Sequence, residues 1–383
     1  MLYLQLAKMR GKVPNKNAGP QDTLLYYESQ SVKSKRRNCC CVCCLTVLII
    51  TLVIAILGFL LIFVGFPMLF KNSIQLQTSI VFPTEELLPL RPEFGNFGKY
   101  NISGSRNFYI TVDEDRHVVL GVWHLLPDAL VNRLSNKSDE CSYMQSLADL
   151  DYPVLIHFHE NGGNRIKYIE MYKVLRQFFH VIAFDYRGYA DSSPVQPTES
   201  DIVKDSIALY KWVQSQTEAA IYLWGHGIGS ALSAHTAARL HEENIVPAGV
   251  FLEAPFPTIK EQLKACSPFK SMFSWMPWYE VTMLEPLETN GFSLNTNDYV
   301  LKVDCPIMIV HAKDDYTTPF SLGVKVLKNA QKRDPTLQGS VVFHQLSHKF
   351  GFGHDYIYKW DDLSEAIKNH TEVCERFQVK MHY

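Results

Sequence analysis

One glycine-rich turn carries the first sign of chemistry: Trp224-Gly225-His226-Gly227-Ile228-Gly229-Ser230. An apolar run, 220–223, precedes it, and a helix-like stretch, 230–240, follows. Strand, sharp turn and helix are the setting of a nucleophile elbow, where Gly-x-Ser-x-Gly presents a serine hydroxyl at a strained tip. The chemistry of such a tip is acyl transfer. Serine attacks an ester, histidine moves the proton, a carboxylate orients the histidine, and backbone N–H groups hold the oxyanion. Both flanking glycines are in register here, but the tip is Gly227. The frame is present and its nucleophile is missing.

The other members follow the elbow in the order acid, then histidine, at the ends of later strands. The phrase His311-Ala312-Lys313-Asp314-Asp315-Tyr316-Thr317-Thr318-Pro319 closes an apolar run. Asp315 is the preferred acid, with Asp314 as a turn cap. His354, in Phe352-Gly353-His354-Asp355-Tyr356, follows the last strand-like run and is the expected base. His348 competes with it, while His344 lies inside the strand as a packed residue. The N–H groups of Ile228 and Asn161 are the expected oxyanion donors. Asn161 belongs to the loop His159-Glu160-Asn161-Gly162-Gly163-Asn164. Glu160 is out of place there, because a carboxylate disfavours a developing oxyanion unless its side chain points away. Two substitutes for the nucleophile remain. Ser230 lies about one helical turn deeper than Gly227, and His354 with Asp315 can activate a water.

The elements that must position these residues read as α/β. A hairpin pairs 108–112 with 118–125 across Asp113-Glu114-Asp115-Arg116, and 126–151 reads as an irregular insertion. Strand-like runs at 154–159, 181–186, 220–224, 249–253, 307–311 and 341–345 alternate with helical stretches. Continuous apolar runs suit buried parallel strands, and the alternation predicts a doubly wound, mostly parallel sheet. Residues 256–300 break the rhythm with Phe256, Phe269, Met272, Phe273, Trp275, Met276, Trp278, Tyr279 and Met283. They read as a helical insertion, either packed as core or capping the active-site mouth. In a cap, these side chains suit an acyl chain, at about 0.8 kcal/mol per buried CH₂.

The chain has 383 residues and a net charge of −2, which gives no electrostatic case for nucleic acid. No cofactor is expected, and no structural zinc site, since the chain has no two separate Cys-x-x-Cys pairs outside the single cluster 39–44. Residues 1–38 are polar and basic and read as a disordered tail. The run 41–70 holds no charged residue before Lys71 and exceeds the roughly 20 residues that cross a bilayer. It predicts one span over 39–71, followed by a linker, 72–99, and a hydrolase-type domain, 100–383. The apolar run is too long for a cleaved signal peptide. Positive charge precedes it, so the tail is expected in the cytosol and the domain in a lumen or outside the cell. Sequons at Asn101, Asn136 and Asn369 all follow the span. Cys39, Cys40, Cys41, Cys43 and Cys44 sit at its cytosolic end, either as palmitoylation sites or as small apolar residues of a membrane helix.

Together these phrases resemble the membrane-anchored α/β-hydrolases of the lysophosphatidylserine lipase and monoacylglycerol lipase type. The residues that carry the resemblance run from about 151 to 377. They are Met171-Tyr172-Lys173-Val174-Leu175-Arg176, Phe184-Asp185-Tyr186-Arg187-Gly188-Tyr189, Trp224-Gly225-His226, Leu252-Glu253-Ala254-Pro255-Phe256, Asp304-Cys305-Pro306 and His354-Asp355-Tyr356-Ile357-Tyr358-Lys359. The resemblance implies an endoplasmic-reticulum membrane protein with its site in the lumen. It also implies lysophospholipids, above all lysophosphatidylserine, and monoacylglycerols as substrates. It carries over to Asp315, His354 and Ile228 and fails at Gly227. Glu160 stands where the family has glycine, and Ala190 where glycine precedes Asp191-Ser192. Two readings follow: a lipid-binding relative without turnover, or a lipase with a displaced nucleophile or a water mechanism. A purely structural membrane protein is a third.

Overall fold

A computed structural model describes residues 20–84, 92–134, 140–148, 150–265 and 268–381. It divides into two units, Met1–Pro67 and Met68–Tyr383. In the first, helix α1 spans Pro20–Leu60 and widens into a π-helical turn, Leu61–Gly65. Helix α2, Phe66–Asn72, follows. The widened turn stands just before Pro67, whose ring would clash with the carbonyl four residues back in a regular helix. Val42–Asn72 is long and apolar enough to cross a membrane. The expected disordered tail differs from the structure over 20–38, which is helical; 1–19 lie outside the described residues. Once the apolar helix exists, each added residue gains a hydrogen bond without a new nucleation step. Pro20 at the first turn suits a helix start.

The second unit is organised around an eight-stranded sheet in the order β1-β2-β4-β3-β5-β6-β7-β8. The strands are β1 Ser105–Asp113, β2 Val118–Leu125, β3 Val154–Phe158, β4 His180–Phe184, β5 Ile221–His226, β6 Gly249–Glu253, β7 Ile307–Ala312 and β8 Val341–Leu346. β1 and β2 form the expected antiparallel hairpin, β2 joins β4 antiparallel, and the other pairings are parallel. Every residue of β3 to β7 is buried, which is why these strands read as unbroken apolar runs.

Helices cover the sheet. α3 spans Ile74–Val81, α4 Asp128–Leu134, α5 Glu140–Leu147, α6 Ile169–Leu175, α7 Glu199–Gln216, α8 Ile228–Glu242, α9 Ile259–Ala265 and α10 Pro268–Phe273. α11 spans Glu285–Thr289, α12 Thr296–Leu301, α13 Phe320–Ala330 and α14 Leu363–Met381. Met171, Tyr172 and Leu175 of α6 join Leu363, Ile367 and Cys374 of α14 in one core cluster with Trp224, Phe251 and Met308. Each such side chain contributes about 1.5–3 kcal/mol on burial. α7 starts on a cap in which the Thr198 hydroxyl accepts from Asp201 N–H.

Two further expectations are corrected, and the two readings of the insertion both hold. The insertion 126–151 carries α4 and α5, with Leu126, Leu130 and Tyr143 in a small core of their own. The stretch 72–99 is not a bare linker. α3 buries Gln77, whose Nε2 donates to Phe70 O at 2.9 Å and whose Oε1 accepts from Asn290 at 2.7 Å. Phe82 packs on Phe292, and Trp123 Nε1 donates to Phe94 O. The segment reads as a linker because its few core contacts are spread between polar residues. Finally, the insertion 256–300 serves two purposes: α12 packs against α8 and α13, while α9 and α10 stand over the site.

Candidate functional site

Gly227 is the last residue before α8, with φ 55° and ψ −115°, a left-handed conformation that strains other residues. Its N–H donates to Glu253 O at 2.9 Å. The glycines on either side are needed for a different reason. A Cβ on Gly225 would land on the Gly229 carbonyl, and one on Gly229 on the Phe158 carbonyl. They let β5, the turn and α8 close tightly beside β3. The elbow is therefore built, with glycine at its tip.

Asp315, three residues beyond β7, and His354, on the loop after β8, come together. His354 Nδ1 lies 2.6 Å from Asp315 Oδ2. Asp315 Oδ1 accepts from the N–H groups of Thr317 and Thr318 at 2.9 and 2.7 Å, and His311 Nε2 stands 3.4 Å from Oδ2. Asp314 instead accepts from Gly353 N–H at 3.0 Å, holding the loop that bears His354. His348 is exposed. His344 packs against Trp360, 5.2 Å between ring centres. Ser230 is fully buried and offers its one hydroxyl proton to Gly225 O and Glu253 O, at 2.7 and 2.8 Å.

The largest departure from expectation is Glu160. Its side chain does not point away; it turns into the site, with Oε1 2.8 Å from His354 Nε2, an ion-pair contact without hydrogen-bond alignment. His354 thus lies between two carboxylates. Burial opposes its charge, but Asp315 and Glu160 outweigh it and raise its pKa to about 10. Burial likewise opposes the charge on Glu160, but the imidazole lowers its pKa to about 2. Asp315, despite burial, is held well below the usual carboxylate range by His311 and His354. Each group thus draws the other toward its charged form.

Neighbouring residues fix Glu160 at both ends. Its N–H donates to Tyr168 Oη at 2.8 Å, and its carbonyl faces His159 Nδ1 at 2.8 Å. Tyr186 Oη donates to His159 O, and its ring stacks on His159. Arg165, fully buried, binds Asp185 and Asp191 and anchors the same loop. His226 faces the His354 carbonyl through Nε2 at 3.0 Å and Tyr168 Oη through Nδ1 at 3.3 Å. Glu160, His226 and His354 have donor atoms within 4.8 Å of one another, a group that can hold a metal ion. The 2.8 Å Glu160–His354 separation fits an ion pair better. Two tetrahedral zinc ligands would stand about 3.3 Å apart.

Ile228 and Asn161 both line a cavity of about 770 Å³. Its walls include Ile80 and Val81 of α3, Phe256, and Ile259 and Leu263 of α9. The expected aromatic lining is corrected. Among the described side chains anticipated there, only Phe256 lines the cavity; that of Phe269 lies outside them. Phe273, Met276, Tyr279 and Met283 are buried elsewhere, and Met272, Trp275 and Trp278 are exposed. Asn161 Oδ1 and Gln262 Oε1, on two lining residues, are buried without a hydrogen-bond partner among the described residues. Sequence reasoning singled out Glu160 as anomalous but did not foresee its pairing, nor the parts of Tyr168 and His226. Tyr168 is eight residues from Glu160, and His226 sits inside the quoted elbow.

The family model described as serine aminopeptidase, S33, matches residues 154–300. Among solved structures, a Pyrococcus furiosus esterase, Pf2001, superposes with a TM-score of 0.52 over 76% of this chain and 98% of its own. At 14% identity this shows the α/β-hydrolase fold alone. Curated relatives reach further. The protein named lysophosphatidylserine lipase ABHD12 in Gallus gallus is 29% identical, over 85% of this chain and 84% of its own length. Protein ABHD12B of Homo sapiens is 28% identical, over 69% and 71%. The lysophosphatidylserine lipase ABHD12 of Xenopus tropicalis is 30% identical across 312 residues, 80% of this chain and 79% of that relative. With an α/β-hydrolase sheet that gathers Asp315, His354 and the elbow at one edge, the chain belongs to the ABHD12 family of lysophosphatidylserine lipases.

Proposed function

We propose that this chain is a membrane-anchored family member that binds a monoacyl lipid, lysophospholipid or monoacylglycerol, without hydrolysing it through a serine. The observation that carries this reading is the elbow: it is fully formed, and its tip is Gly227. Asp315 and His354 hold the positions of acid and base, and Ile228 and Asn161 those of oxyanion donors. A displaced nucleophile is opposed by Ser230, whose hydroxyl is buried and bound to carbonyls. A water mechanism is opposed by Glu160, whose Oε1 stands 2.8 Å from His354 Nε2, the atom that would take the proton. The cavity supports a lipid ligand. Its volume lies in the usual range for small-molecule sites, and its walls set apolar side chains (Ile80, Val81, Phe256, Ile259, Leu263) beside polar ones such as Gln262 and Thr317. The free acceptors on Asn161 and Gln262 suit the hydroxyl donors of a lipid head.

The domain order we propose is a cytosolic N-terminal segment, one span and a lumenal hydrolase domain, in the endoplasmic reticulum. Asn101 and Asn369 are exposed, as glycan acceptors must be; Asn136 lies outside the described residues. Cys43 and Cys44 are exposed free thiols and candidates for acylation; Cys39, Cys40 and Cys41 fall outside the residues whose side chains are described. Glycosidase-sensitive mass on Asn101 and Asn369 tests the orientation.

The function is tested with the full chain in detergent, on lysophosphatidylserine and monoacylglycerol. Saturable displacement of a fluorescent fatty-acyl probe is expected, with no fatty acid released beyond a protein-free control. Steady hydrolysis that disappears in His354→Ala sinks the reading.

A further inference from the structure

We propose that Glu160 fills the place of the missing nucleophile and locks the remaining acid–base pair, so that Gly227 and Glu160 form one coupled unit and together make up the whole block to hydrolysis. The proposal rests on the reading that the chain does not hydrolyse esters through a serine.

The argument begins with space. A Cβ built on Gly227 would stand 2.5 Å from Glu160 Cγ and 3.1 Å from both Cδ and Oε1. Nonbonded carbons pack at about 3.5–4.0 Å. The first atom met is the middle of the glutamate side chain, not its flexible end, so a small swing of the carboxylate does not relieve the contact. The side chain is also held. Oε1 lies against His354, and Oε2 stands 3.5 Å from Lys167 Nζ, which reaches Asp355 at 3.0 Å. The backbone on either side is fixed by Tyr168 and His159. Glycine at 227 is thus what allows a glutamate at 160 to enter the site.

The second part is chemistry. The atom a serine hydroxyl must face is His354 Nε2, and Glu160 Oε1 is already on it. The carboxylate also borders the cavity beside Ile228 and Asn161, where an ester oxygen would gain negative charge. Like charge there raises the barrier that an oxyanion hole lowers. A hydroxyl returned to position 227 alone has no room, no free base and a hostile oxyanion site. Removing Glu160 alone frees the base but supplies no nucleophile.

The test compares the wild-type chain with Gly227→Ser, Glu160→Ala and the double variant, all full length. Covalent labelling by a fluorophosphonate, monoacylglycerol hydrolysis and thermal melting are measured on each. Neither single variant is expected to label. The double variant is expected to label and to hydrolyse at least about a hundredfold faster than either single variant, well below the ~10⁶-fold that loss of a triad serine or histidine costs. The melting data provide a readout independent of activity. Glu160→Ala should lower the melting temperature in the wild-type background, where it breaks an ion pair. In the Gly227→Ser background it should raise it, because it removes a clash. Neighbours that share space are non-additive in this way.

Labelling of Gly227→Ser as strong as that of the double variant overturns the proposal. So does a melting cycle that is additive within error, and so does a well-folded double variant that stays silent. Hydrolysis by the wild-type chain overturns the earlier reading of function; the melting cycle then still decides whether the two side chains compete for one space.

Discussion

The two sides of the site have diverged. On the β7–β8 side, Asp315 meets His354 at 2.6 Å, Thr317 and Thr318 hold the acid, and Asp314 holds the histidine loop. On the β3–β5 side, the glycine packing of the elbow is intact, yet its tip has no side chain and the neighbouring loop sends Glu160 into the gap. The first side is what a hydrolase needs. The second uses the same backbone for an ion pair. On the proposed reading, the contrast teaches that a catalytic frame can persist as a charge-balanced core, with His354 held by two carboxylates rather than by a carboxylate and a hydroxyl.

If that is so, Asp315 is a stabilising residue here. Its side chain is fully buried, and it partners His354 and two backbone N–H groups. Asp315→Ala is expected to destabilise by about 3–5 kcal/mol, the usual result of removing one partner of a buried pair. Chemical denaturation measures it. A loss below about 1 kcal/mol would mean that the first side is kept for something other than charge balance.

The pH dependence separates the two sides. His354 has its folded pKa raised from 6.5 to about 10, so its contribution is fully present below pH 6.5 and is lost as pH rises towards 10. Glu160 has its pKa lowered from 4.5 to about 2, so its contribution is present above pH 4.5 and is lost as pH falls towards 2. The wild-type melting temperature is therefore expected to fall between pH 7 and 10. In Glu160→Gln that alkaline slope should flatten, because His354 then has one carboxylate instead of two. An unchanged slope would show that Glu160 does not charge His354.

How much of this was legible in the sequence differs between the same two sides. Asp315 and His354 follow strand ends in the chain order the chemistry needs, so spacing alone located them. The sheet was legible for a related reason: strands buried on both faces are unbroken apolar runs. Glu160 was visible only as an anomaly, since its direction depends on the empty space at Gly227, on Lys167 and on His354, none of them its sequence neighbours. The same limit explains α3, whose role in the cavity wall comes from Ile80 and Val81 meeting residues about 180 positions away. It also explains the cap, where composition suggested a broad aromatic lining and the structure sets Ile259 and Leu263 beside Phe256.

The cavity itself offers a smaller effect. Leu263 lines it without being part of the ion pair. Leu263→Asp places a carboxylate on an apolar wall and is expected to weaken fatty-acyl probe binding roughly tenfold, about the worth of one partly buried leucine. The melting temperature should stay within the range of surface substitutions. Unchanged binding would move the lipid out of this cavity and break the link between the altered elbow and ligand retention.

The smallest effect, and the one that bears most directly on the missing nucleophile, belongs to Ser230. Its hydroxyl is fully buried, 2.7 Å from Gly225 O and 2.8 Å from Glu253 O. Those carbonyls lie at the ends of β5 and β6, so the hydroxyl ties the first turn of α8 to the sheet. One proton serves two acceptors, and the oxygen has neither solvent nor the cavity beside it. Ser230→Ala is therefore expected to cost about 1 kcal/mol, the net worth of one such hydrogen bond, read as a shift of a few degrees in melting. Lipid binding should not change. A hydroxyl that attacked an ester would behave in the opposite way: its loss would leave stability nearly untouched and abolish labelling by a fluorophosphonate. That second pattern would restore a working nucleophile to the β3–β5 side and end the contrast between the two halves of the site.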